Sequence, residues 1–195
     1  MPSLPDSVAI AVLAGGAGTR FGGKKLDALL CGKPLGRWAT DAAEAAGFSM
    51  RLLVVPPDRP AFSATLNGWT ITENPDADLG IGTSIHAAVA AAEGCDRLVI
   101  ALADMPLVEP DHLVRLATME GAAFTLHADG KPGVPAAFPA AEFALLRSLP
   151  PARGAATLAS RVAAAALAPP SVDSLRDVDS PDDLKAIEPI LVGSA

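Results

Sequence analysis

The chain has 195 residues, of which 50% are hydrophobic and 19% charged, so it can bury a core, and a disordered or collagen-like chain is excluded. Its 22 acidic and 15 basic residues give a formal net charge of -7, which disfavours general binding to the phosphate backbone of nucleic acids. Cys31 and Cys95 lie far apart, so neither a disulfide framework nor a thiolate metal site is predicted. The first apolar stretch, residues 8–13, is too short to span a bilayer. We therefore expect a cytoplasmic protein that binds neither nucleic acid nor membrane.

Short β-branched and leucine-rich runs alternate with alanine-rich helical stretches along the chain. Strands are predicted at residues 8–13, 52–55, 69–72, 98–102 and 124–126. Helices are predicted at residues 35–46 and 84–93, from Pro110 onward, and at residues 181–187 after a cap at Ser180, while residues 188–195 are expected to fray. The alternation predicts one α/β domain over residues 1–195, with three α/β/α layers and a mostly parallel, Rossmann-like sheet.

A glycine-rich segment follows the first predicted strand directly. Residues 15–23 contain five glycines, whose backbone N–H groups can approach an anion closely. Positive charge is concentrated around this segment, where five of the 15 basic residues lie: Arg20, Lys24, Lys25, Lys33 and Arg37. The pattern predicts a phosphate cradle, and the alternative is a flexible surface loop with solvated lysines.

Neither of the two common phosphate-binding motifs fits this segment. Residues 18–24 match G-x-x-x-x-G-K, but Lys25 occupies the position where that motif needs a Ser or Thr to bind Mg²⁺. In the Rossmann fingerprint starting at Gly16, the third glycine is replaced by Phe21, a bulky ring where close packing requires a small residue. The cradle is therefore of another kind.

Carboxylates follow two predicted strands. Asp104 comes just after the strand at 98–102, and parallel sheets bind ligands beyond the carboxyl ends of their strands. Mg²⁺ is commonly held by one or two carboxylates together with substrate phosphates, so a magnesium site is predicted here, although Asp104 alone can also be a turn cap. A late strand is predicted to end at Asp177 and Asp179. Alternation would put both on one side, and Asp177 is favoured because Asp179 can simply precede the next helix.

A turn beginning at Asn74 delivers Thr83 and Ser84 to the start of a predicted helix. Hydroxyls and free N–H groups at such a position suit a base or ribose, while Ser84 can also serve only as a helix cap. The three histidines, His86, His112 and His127, form no pattern typical of a metal site or catalytic triad and are interpreted as packing or surface residues. Only His127 lies near the predicted active edge.

Six segments, taken in this order, resemble the MobA-like nucleotidyltransferases, and within them the molybdenum cofactor cytidylyltransferases. They are residues 13–35 (LAGGAGTRFGGKKLDALLCGKPL), 73–89 (ENPDADLGIGTSIHAAV), 102–108 (LADMPLV), 130–138 (GKPGVPAAF), 152–159 (ARGAATLA) and 177–184 (DVDSPDDL). The resemblance implies the nucleotide-diphospho-sugar transferase fold. In the cytidylyltransferases the active lysine lies three residues after the glycine of R-[MF]-G, as Lys25 lies after Gly22 here.

Two positions depart from the cytidylyltransferase pattern. Gly15 stands where those enzymes commonly have Ala, a form more typical of the guanylyl branch. Val134 replaces the histidine of the family's Gly-His-Pro. The first departure concerns the choice of base, and the second concerns the acceptor.

The resemblance implies transfer of the nucleotidyl group of CTP, or of another nucleoside triphosphate, to the terminal phosphate of molybdopterin carrying molybdenum, with release of pyrophosphate. Mg²⁺ is the implied cofactor, and a molybdenum hydroxylase or its maturation factor is a possible partner. Because a phosphate nucleophile is already ionised, no strong general base is needed. The alternatives are a molybdenum cofactor guanylyltransferase, a methylerythritol phosphate cytidylyltransferase and a non-catalytic carrier of nucleotide or cofactor.

The implied roles fall on named positions of this chain. The catalytic residues are Lys25, Arg20 and Asp104. Metal ligands are Asp104 and one or both of Asp177 and Asp179. Nucleotide contacts are assigned to Leu13, Ala14, Gly15, Gly16, Ala17, Gly18, Thr19, Arg20, Lys25, Asn74, Gly82, Thr83, Ser84 and Asp104.

Overall fold

A seven-stranded sheet forms the centre of the protein in a computed structural model that describes residues 4–15 and 21–193. The strands of the main sheet are β1 (Val8–Leu13), β4 (Met50–Val55), β5 (Thr70–Glu73), β6 (Arg97–Leu102), β7 (Ala122–Leu126), β8 (Pro132–Pro139) and β9 (Ala164–Leu167). Their spatial order is β5-β4-β1-β6-β8-β7-β9, and only β8 runs antiparallel to its neighbours. The short strands β2 (Leu29–Leu30) and β3 (Lys33–Pro34) pair separately. The prediction of a mostly parallel sheet is confirmed.

Helices cover both faces of this sheet. They are α1 (Leu35–Ala45), α2 (Ile81–Ala91), α3 (Pro110–Thr118), α4 (Phe143–Arg147) and α5 (Pro181–Gly193). Helices α1, α3 and α5 contribute to the core on one face, together with Ile10 and Val12 of β1. Helices α2 and α4 pack on the other face, against Ala9, Ala11 and Leu13. Because β1 is buried on both sides, its sequence is a continuous apolar run, and the three predicted layers are confirmed.

The predicted strands at 8–13, 52–55, 69–72, 98–102 and 124–126 correspond to β1, β4, β5, β6 and β7. The prediction of a late strand that ends at Asp177 and Asp179 is wrong, because residues 176–179 belong to no strand. The last strand is instead β9, an alanine run at the sheet edge. The final helix, predicted to end at Ile187, continues to Gly193, and the fraying expected for residues 188–195 stays a prediction.

The carboxyl ends of β1, β4, β6 and β7 meet at one edge of the sheet, since these four strands point in the same direction. Antiparallel β8 begins at that edge and lies between β6 and β7. Ligands of parallel α/β sheets bind at such an edge. Within residues 4–15 and 21–193, no helix combines the length and the apolar character that crossing a membrane requires.

Candidate nucleotide-binding site

Lys25 enters the carboxyl edge of the sheet from a tight turn. Gly22 and Gly23 have φ values of 88° and 99°, in the left-handed region that glycine adopts without steric cost, and a short 3₁₀ helix (Lys25–Asp27) follows. The Lys25 side chain is only 7% exposed, and its Nζ donates to Asp104 Oδ2 at 2.7 Å. It also lies 3.5 Å from Asp179 Oδ1. A buried ammonium group is thus held between two acids from distant parts of the chain.

A backbone hydrogen bond draws the acidic residues together. The Val178 N–H donates to the Asp104 carbonyl at 3.0 Å, which places Asp177 and Asp179 beside the end of β6. The pKa of the Asp177 carboxyl is raised, first by its burial and then by the nearby negative charges of Asp104 and Asp179. The second Asp104 oxygen, Oδ1, is buried and has no hydrogen-bond partner among the described residues. Negative charge here therefore exceeds what Lys25 neutralises.

The predicted metal site, Asp104 with Asp177 or Asp179, does not form a ready-made cage of three ligands in the described chain. Among residues 4–15 and 21–193, no three His, Cys, Asp or Glu side chains are grouped so that they could hold a metal ion. Instead the Lys25 ammonium lies between Asp104 and Asp179. The roles of Asp104, Asp177 and Asp179 as metal ligands stay predictions.

The glycine-rich segment is only partly described. Gly16, Ala17, Gly18, Thr19 and Arg20 lie outside the described residues, so the phosphate cradle and the catalytic role of Arg20 also stay predictions. Its flanks, however, lie at the expected place. Leu13 ends β1, and the Ala14 N–H donates to the Val54 carbonyl at 2.8 Å, so the segment leaves from the middle of the sheet.

Asn74, Thr83 and Ser84 lie together, but they mainly bind one another. Asn74 is buried, and its Nδ2 donates to Thr83 Oγ1 at 2.9 Å and to Ser84 Oγ at 3.1 Å. The Thr83 hydroxyl is in turn within hydrogen-bond distance of the Asp76 and Gly80 carbonyls. Because α2 begins at Ile81, Ser84 lies inside the helix and is not its cap. These side chains tie the loop before α2 to the helix, and their contact with a nucleotide stays a prediction.

Two of the assigned glycines are required by close packing. A Cβ atom at Gly15 would lie 2.8 Å from Ser84 Oγ, so the serine hydroxyl fills the space that an alanine methyl would take. At Gly82 a Cβ atom would overlap the Pro150 carbonyl oxygen, and the Gly82 N–H donates to the Pro151 carbonyl at 2.7 Å. Gly82 therefore anchors the start of α2 to the loop after α4.

A cavity of about 310 Å³, which the sequence analysis did not predict, opens beside Lys25. One side is formed by Ala14, Gly15 and the Lys24–Asp27 turn. The opposite side is formed by residues 56–61 and 77–78, which follow β4 and β5. Asp27 joins the two sides, because its carboxylate accepts hydrogen bonds from Ala61 N and Phe62 N, each at 2.8 Å. The signal available in the sequence was that Pro56 directly follows a parallel strand, where ligand-binding loops occur.

The basic cluster of the sequence is divided between two places. Lys24 and Lys25 line the cavity. Lys33 and Arg37 instead bind Asp41, an acid on α1. Lys33 Nζ lies 2.6 Å from Asp41 Oδ2, and Arg37 Nε lies 2.6 Å from Asp41 Oδ1. Lys33 and Arg37, which belong to the same basic stretch of the sequence, are thus neutralised by a local carboxylate, and for Arg37 this pairing follows from the i,i+4 spacing within α1.

The histidines differ in their surroundings. His112 is a packing residue, as predicted: its Nε2 lies 2.8 Å from Thr125 Oγ1, and burial lowers its pKa to about 4, with a smaller contribution from Arg115. His86 Nε2 lies 3.0 Å from the Leu149 carbonyl. His127, at the end of β7, has its Nε2 2.9 Å from the carbonyl of Val134. An imidazole thus lies beside the position where the resembled enzymes carry histidine.

Comparison with known proteins agrees with this geometry. Residues 10–167 match the family model of the MobA-like NTP transferase domain. A curated relative, the bifunctional protein GlmU from Sorangium cellulosum (strain So ce56), is 31% identical over 126 residues, which are 60% of this chain and 27% of that protein. The matched stretch thus covers well under half of that relative's length.

Two solved structures share the fold over nearly the whole chain. The molybdopterin-guanine dinucleotide biosynthesis protein A of Archaeoglobus fulgidus matches with a TM-score of 0.72 at 24% identity, covering 95% of this chain and 99% of that one. Rv0371c from Mycobacterium tuberculosis H37Rv, solved in complex with manganese, matches with a TM-score of 0.72 at 24% identity, covering 93% and 98% of the two chains. The predicted nucleotide-diphospho-sugar transferase fold is confirmed.

Proposed function

Because the chain belongs to the MobA-like NTP transferase family, we propose that it transfers CMP from CTP to the terminal phosphate of a molybdopterin cofactor carrying molybdenum. An oxygen of the acceptor phosphate attacks the α-phosphorus of CTP, the bond from that phosphorus to the bridging oxygen breaks, and pyrophosphate leaves. The observation that carries the proposal is the buried Lys25 ammonium held by Asp104 beside the 310 Å³ cavity.

Lys25 supplies fixed positive charge where the transferred group gains negative charge. Its Nζ is oriented by Asp104 and Asp179 before any ligand binds, so little reorganisation is needed when charge develops. A phosphate nucleophile needs no proton removed at neutral pH, and the site accordingly relies on positioning and charge. We assign Arg20 and the glycine segment to the triphosphate.

A divalent cation fits the acidic side of the site. Asp104 Oδ1 is buried and unpartnered in the described chain, and the pKa of Asp177 is raised first by burial and then by the negative charges of Asp104 and Asp179. Carboxylate oxygens are the ligands that Mg²⁺ prefers, and Asp104 with Asp177 or Asp179 would hold the ion. When bound, it would neutralise charge on the phosphates of the nucleotide. The manganese complex of the relative Rv0371c supports a divalent ion in this family.

The packing around Gly15 supports CTP over GTP. A glycine in place of alanine would be expected to widen the base pocket, which favours a purine. Here Ser84 Oγ occupies the space of the absent methyl group, so Gly15 does not enlarge the cavity. The remaining sequence signal, the three-residue spacing from Gly22 to Lys25, favours the cytidylyl branch.

Three alternatives make different demands on the site. A guanylyltransferase would use GTP with the same acceptor, and a methylerythritol phosphate cytidylyltransferase would use CTP with a different one. A non-catalytic carrier would bind nucleotide without a need for Asp104. The retained acids disfavour the carrier, because carboxylates beside a triphosphate repel it unless a cation lies between them. Delivery to a molybdenum hydroxylase or its maturation factor remains part of the proposal.

Pyrophosphate release by the purified protein tests the proposal. The assay combines Mg²⁺, one nucleoside triphosphate at a time, and either molybdenum cofactor or methylerythritol phosphate. We expect release only with CTP and molybdenum cofactor together. Release with GTP, or with methylerythritol phosphate, would identify one of the other enzymes. Nucleotide binding without release, unchanged in Asp104→Asn, would identify a carrier.

A further inference from the structure

The wall of the 310 Å³ cavity that lies opposite the Lys25 turn is a stiff segment. It begins where β4 ends at Val55, and residues 56–60 contain three prolines, whose rings fix φ. A short 3₁₀ helix (Ala61–Thr65) follows. Because the prolines restrict bending within the segment, the position of this wall depends mainly on how its two ends are held.

Asp27 holds the end at the 3₁₀ helix. The first N–H groups of a helix have no partner within it, and Pro60, which precedes this helix, has no side-chain group that could accept them. The Asp27 carboxylate accepts two of them instead, from Ala61 N to Oδ2 and from Phe62 N to Oδ1, each at 2.8 Å. Asp27 and Ala61 both line the cavity, so these bonds join its two walls directly.

Packing supports the same end of the wall independently of Asp27. Phe62 is 3% exposed, and its ring lies against Gly36 in the first turn of α1, where a Cβ atom would overlap the ring. On the other wall, the Lys25 ammonium is held by two acids other than Asp27. Loss of the Asp27 carboxylate should therefore loosen the join between the walls without unfolding the protein or displacing Lys25.

We propose that Asp27 is a positioning residue for the nucleotide: by joining the Lys24–Asp27 turn to the 3₁₀ helix at Ala61–Thr65, it keeps the two walls of the cavity at the separation that the bound nucleotide requires. A preformed site avoids the cost of ordering a wall on binding, and a wall that is correctly placed for only a fraction of the time weakens the apparent affinity by that fraction. The assignment rests on the proposed function, because it takes this cavity as the nucleotide site.

Steady-state kinetics of the full chain separate this role from that of Lys25. We expect Asp27→Ala to raise the KM for CTP about tenfold, with kcat changed less than about twofold, because the reacting centre at Lys25 keeps its geometry. Lys25→Ala should instead lower kcat. Asp27→Asn keeps one oxygen that can accept a hydrogen bond and should recover part of the loss. A residue that only stabilised the fold would leave the KM of the folded enzyme unchanged.

Asp129→Ala is the matched control. Its carboxylate also accepts a backbone N–H, from Lys131 at 3.0 Å, but Asp129 lies in the turn between β7 and β8 and does not line this cavity. We expect it to change neither the KM for CTP nor kcat. Circular dichroism shows that each variant is folded, and if Asp27→Ala does not fold, Asp27→Asn carries the same comparison.

Equilibrium binding of CTP and of GTP with Mg²⁺ but without acceptor separates this assignment from the proposed function. If the wild type releases no pyrophosphate with molybdenum cofactor but nucleotide affinity falls about tenfold in Asp27→Ala, the proposed function fails and the assignment stands. If turnover occurs while the KM for CTP and the nucleotide affinity are the same in wild type and Asp27→Ala, the assignment is overturned. A fall in kcat alone would overturn it too, as would the absence of nucleotide binding by the wild type.

Discussion

Two short ion pairs, Lys25–Asp104 at the sheet edge and Lys33–Asp41 between β3 and α1, have nearly equal distances of 2.7 and 2.6 Å but different surroundings. Both oxygens of Asp41 are bound, one by Lys33 and the other by Arg37. At Asp104 the second oxygen is buried and has no partner within the described chain, and further carboxylates crowd the site. In the Asp41 cluster the buried atom without a partner among the described residues is a donor, Arg37 Nη1, whereas at the sheet edge it is an acceptor, Asp104 Oδ1, which a cation can bind.

The two ion pairs also differ in how deeply their lysines are buried. Lys25 is 7% exposed and Lys33 is 36% exposed, so solvent screens the second pair and not the first. An exposed ion pair contributes little to stability, and a buried charge without full compensation is costly. A protein keeps such a buried site where binding of a ligand offsets its cost, and this is the physical basis of the function proposed here.

Removing the lysine from each pair should give the largest contrast. We expect Lys25→Ala to slow nucleotidyl transfer about 10²- to 10³-fold, the effect typical of losing one preorganised charge at a developing anion. Lys33→Ala should leave transfer unchanged. Initial rates of pyrophosphate release measure both, with circular dichroism to show that each variant is folded. Equal rates in wild type and Lys25→Ala would remove Lys25 from the site.

Neutralising the acid of each pair should give the next largest effect. We expect Asp104→Asn to lower activity at a fixed Mg²⁺ concentration about 100-fold, because the amide keeps the shape but loses the charge that binds the cation. Asp41→Asn is the matched control and should titrate with Mg²⁺ as wild type does. The corresponding variants of Asp177 and Asp179 will show which one assists. A metal titration of Asp104→Asn identical to wild type would limit that residue to shaping the turn.

His112 sharpens the comparison, because its Nδ1 is also buried and unpartnered among the described residues, while its Nε2 is held by the uncharged Thr125 hydroxyl. Its pKa falls from 6.5 to about 4 on folding, so the neutral form is favoured in the native state. Stability from this group is present above pH 6.5 and is lost as pH falls toward 4. We expect a loss of about 2–3 kcal/mol between pH 7.5 and 4.5. Urea unfolding at both pH values measures it.

A matched variant isolates the contribution of His112 to that pH dependence. His112→Gln keeps a hydrogen-bond donor for the Thr125 hydroxyl but does not titrate. The difference in unfolding free energy between pH 7.5 and 4.5 should therefore shrink by the contribution expected for His112. An equal difference in wild type and His112→Gln would show that other groups carry the pH dependence.

The smallest expected effect concerns Gly15 and Ser84. Gly15→Ala should destabilise the fold by about 1–2 kcal/mol, because the new methyl group overlaps Ser84 Oγ. In a Ser84→Ala background the same substitution should cost less, since the hydroxyl is absent. Thermal unfolding of the wild type, the two single variants and the double variant gives the coupling free energy between Gly15 and Ser84. Additive effects would show that Ser84 does not fill this space.

Sequence patterns predicted the parallel part of this sheet, from β5 to β6, better than the part around antiparallel β8. The runs that became β1 and β6 are buried on both faces, and only apolar residues satisfy that environment. β8 was missed because it contains three prolines and one glycine, which normally interrupt strands, and β9 because it is mostly alanine. Both lie on the side of the sheet where β8 runs antiparallel.

The site was predicted in part for a similar reason. Asp104 follows a buried parallel strand, and the turn at Gly22 and Gly23 delivers Lys25 to it, so local rules placed both residues. The cavity wall at residues 56–61 depends on Asp27 binding the backbone 34 and 35 positions further along, a contact that no local pattern specifies. The pairing of Arg37 with Asp41 follows from helical i,i+4 spacing and was available to sequence reasoning, whereas the pairing of Lys33 with Asp41 joins β3 to α1.

Competition between the two candidate nucleotides tests the central claim most directly. The purified protein is given equal CTP and GTP with Mg²⁺ and molybdenum cofactor, and the dinucleotide products are identified by mass spectrometry. We predict the cytosine dinucleotide as the main product, with one pyrophosphate released for each molecule formed, and almost none of it from Lys25→Ala. Predominance of the guanine dinucleotide, or formation of neither product by folded protein with intact cofactor, would contradict the account.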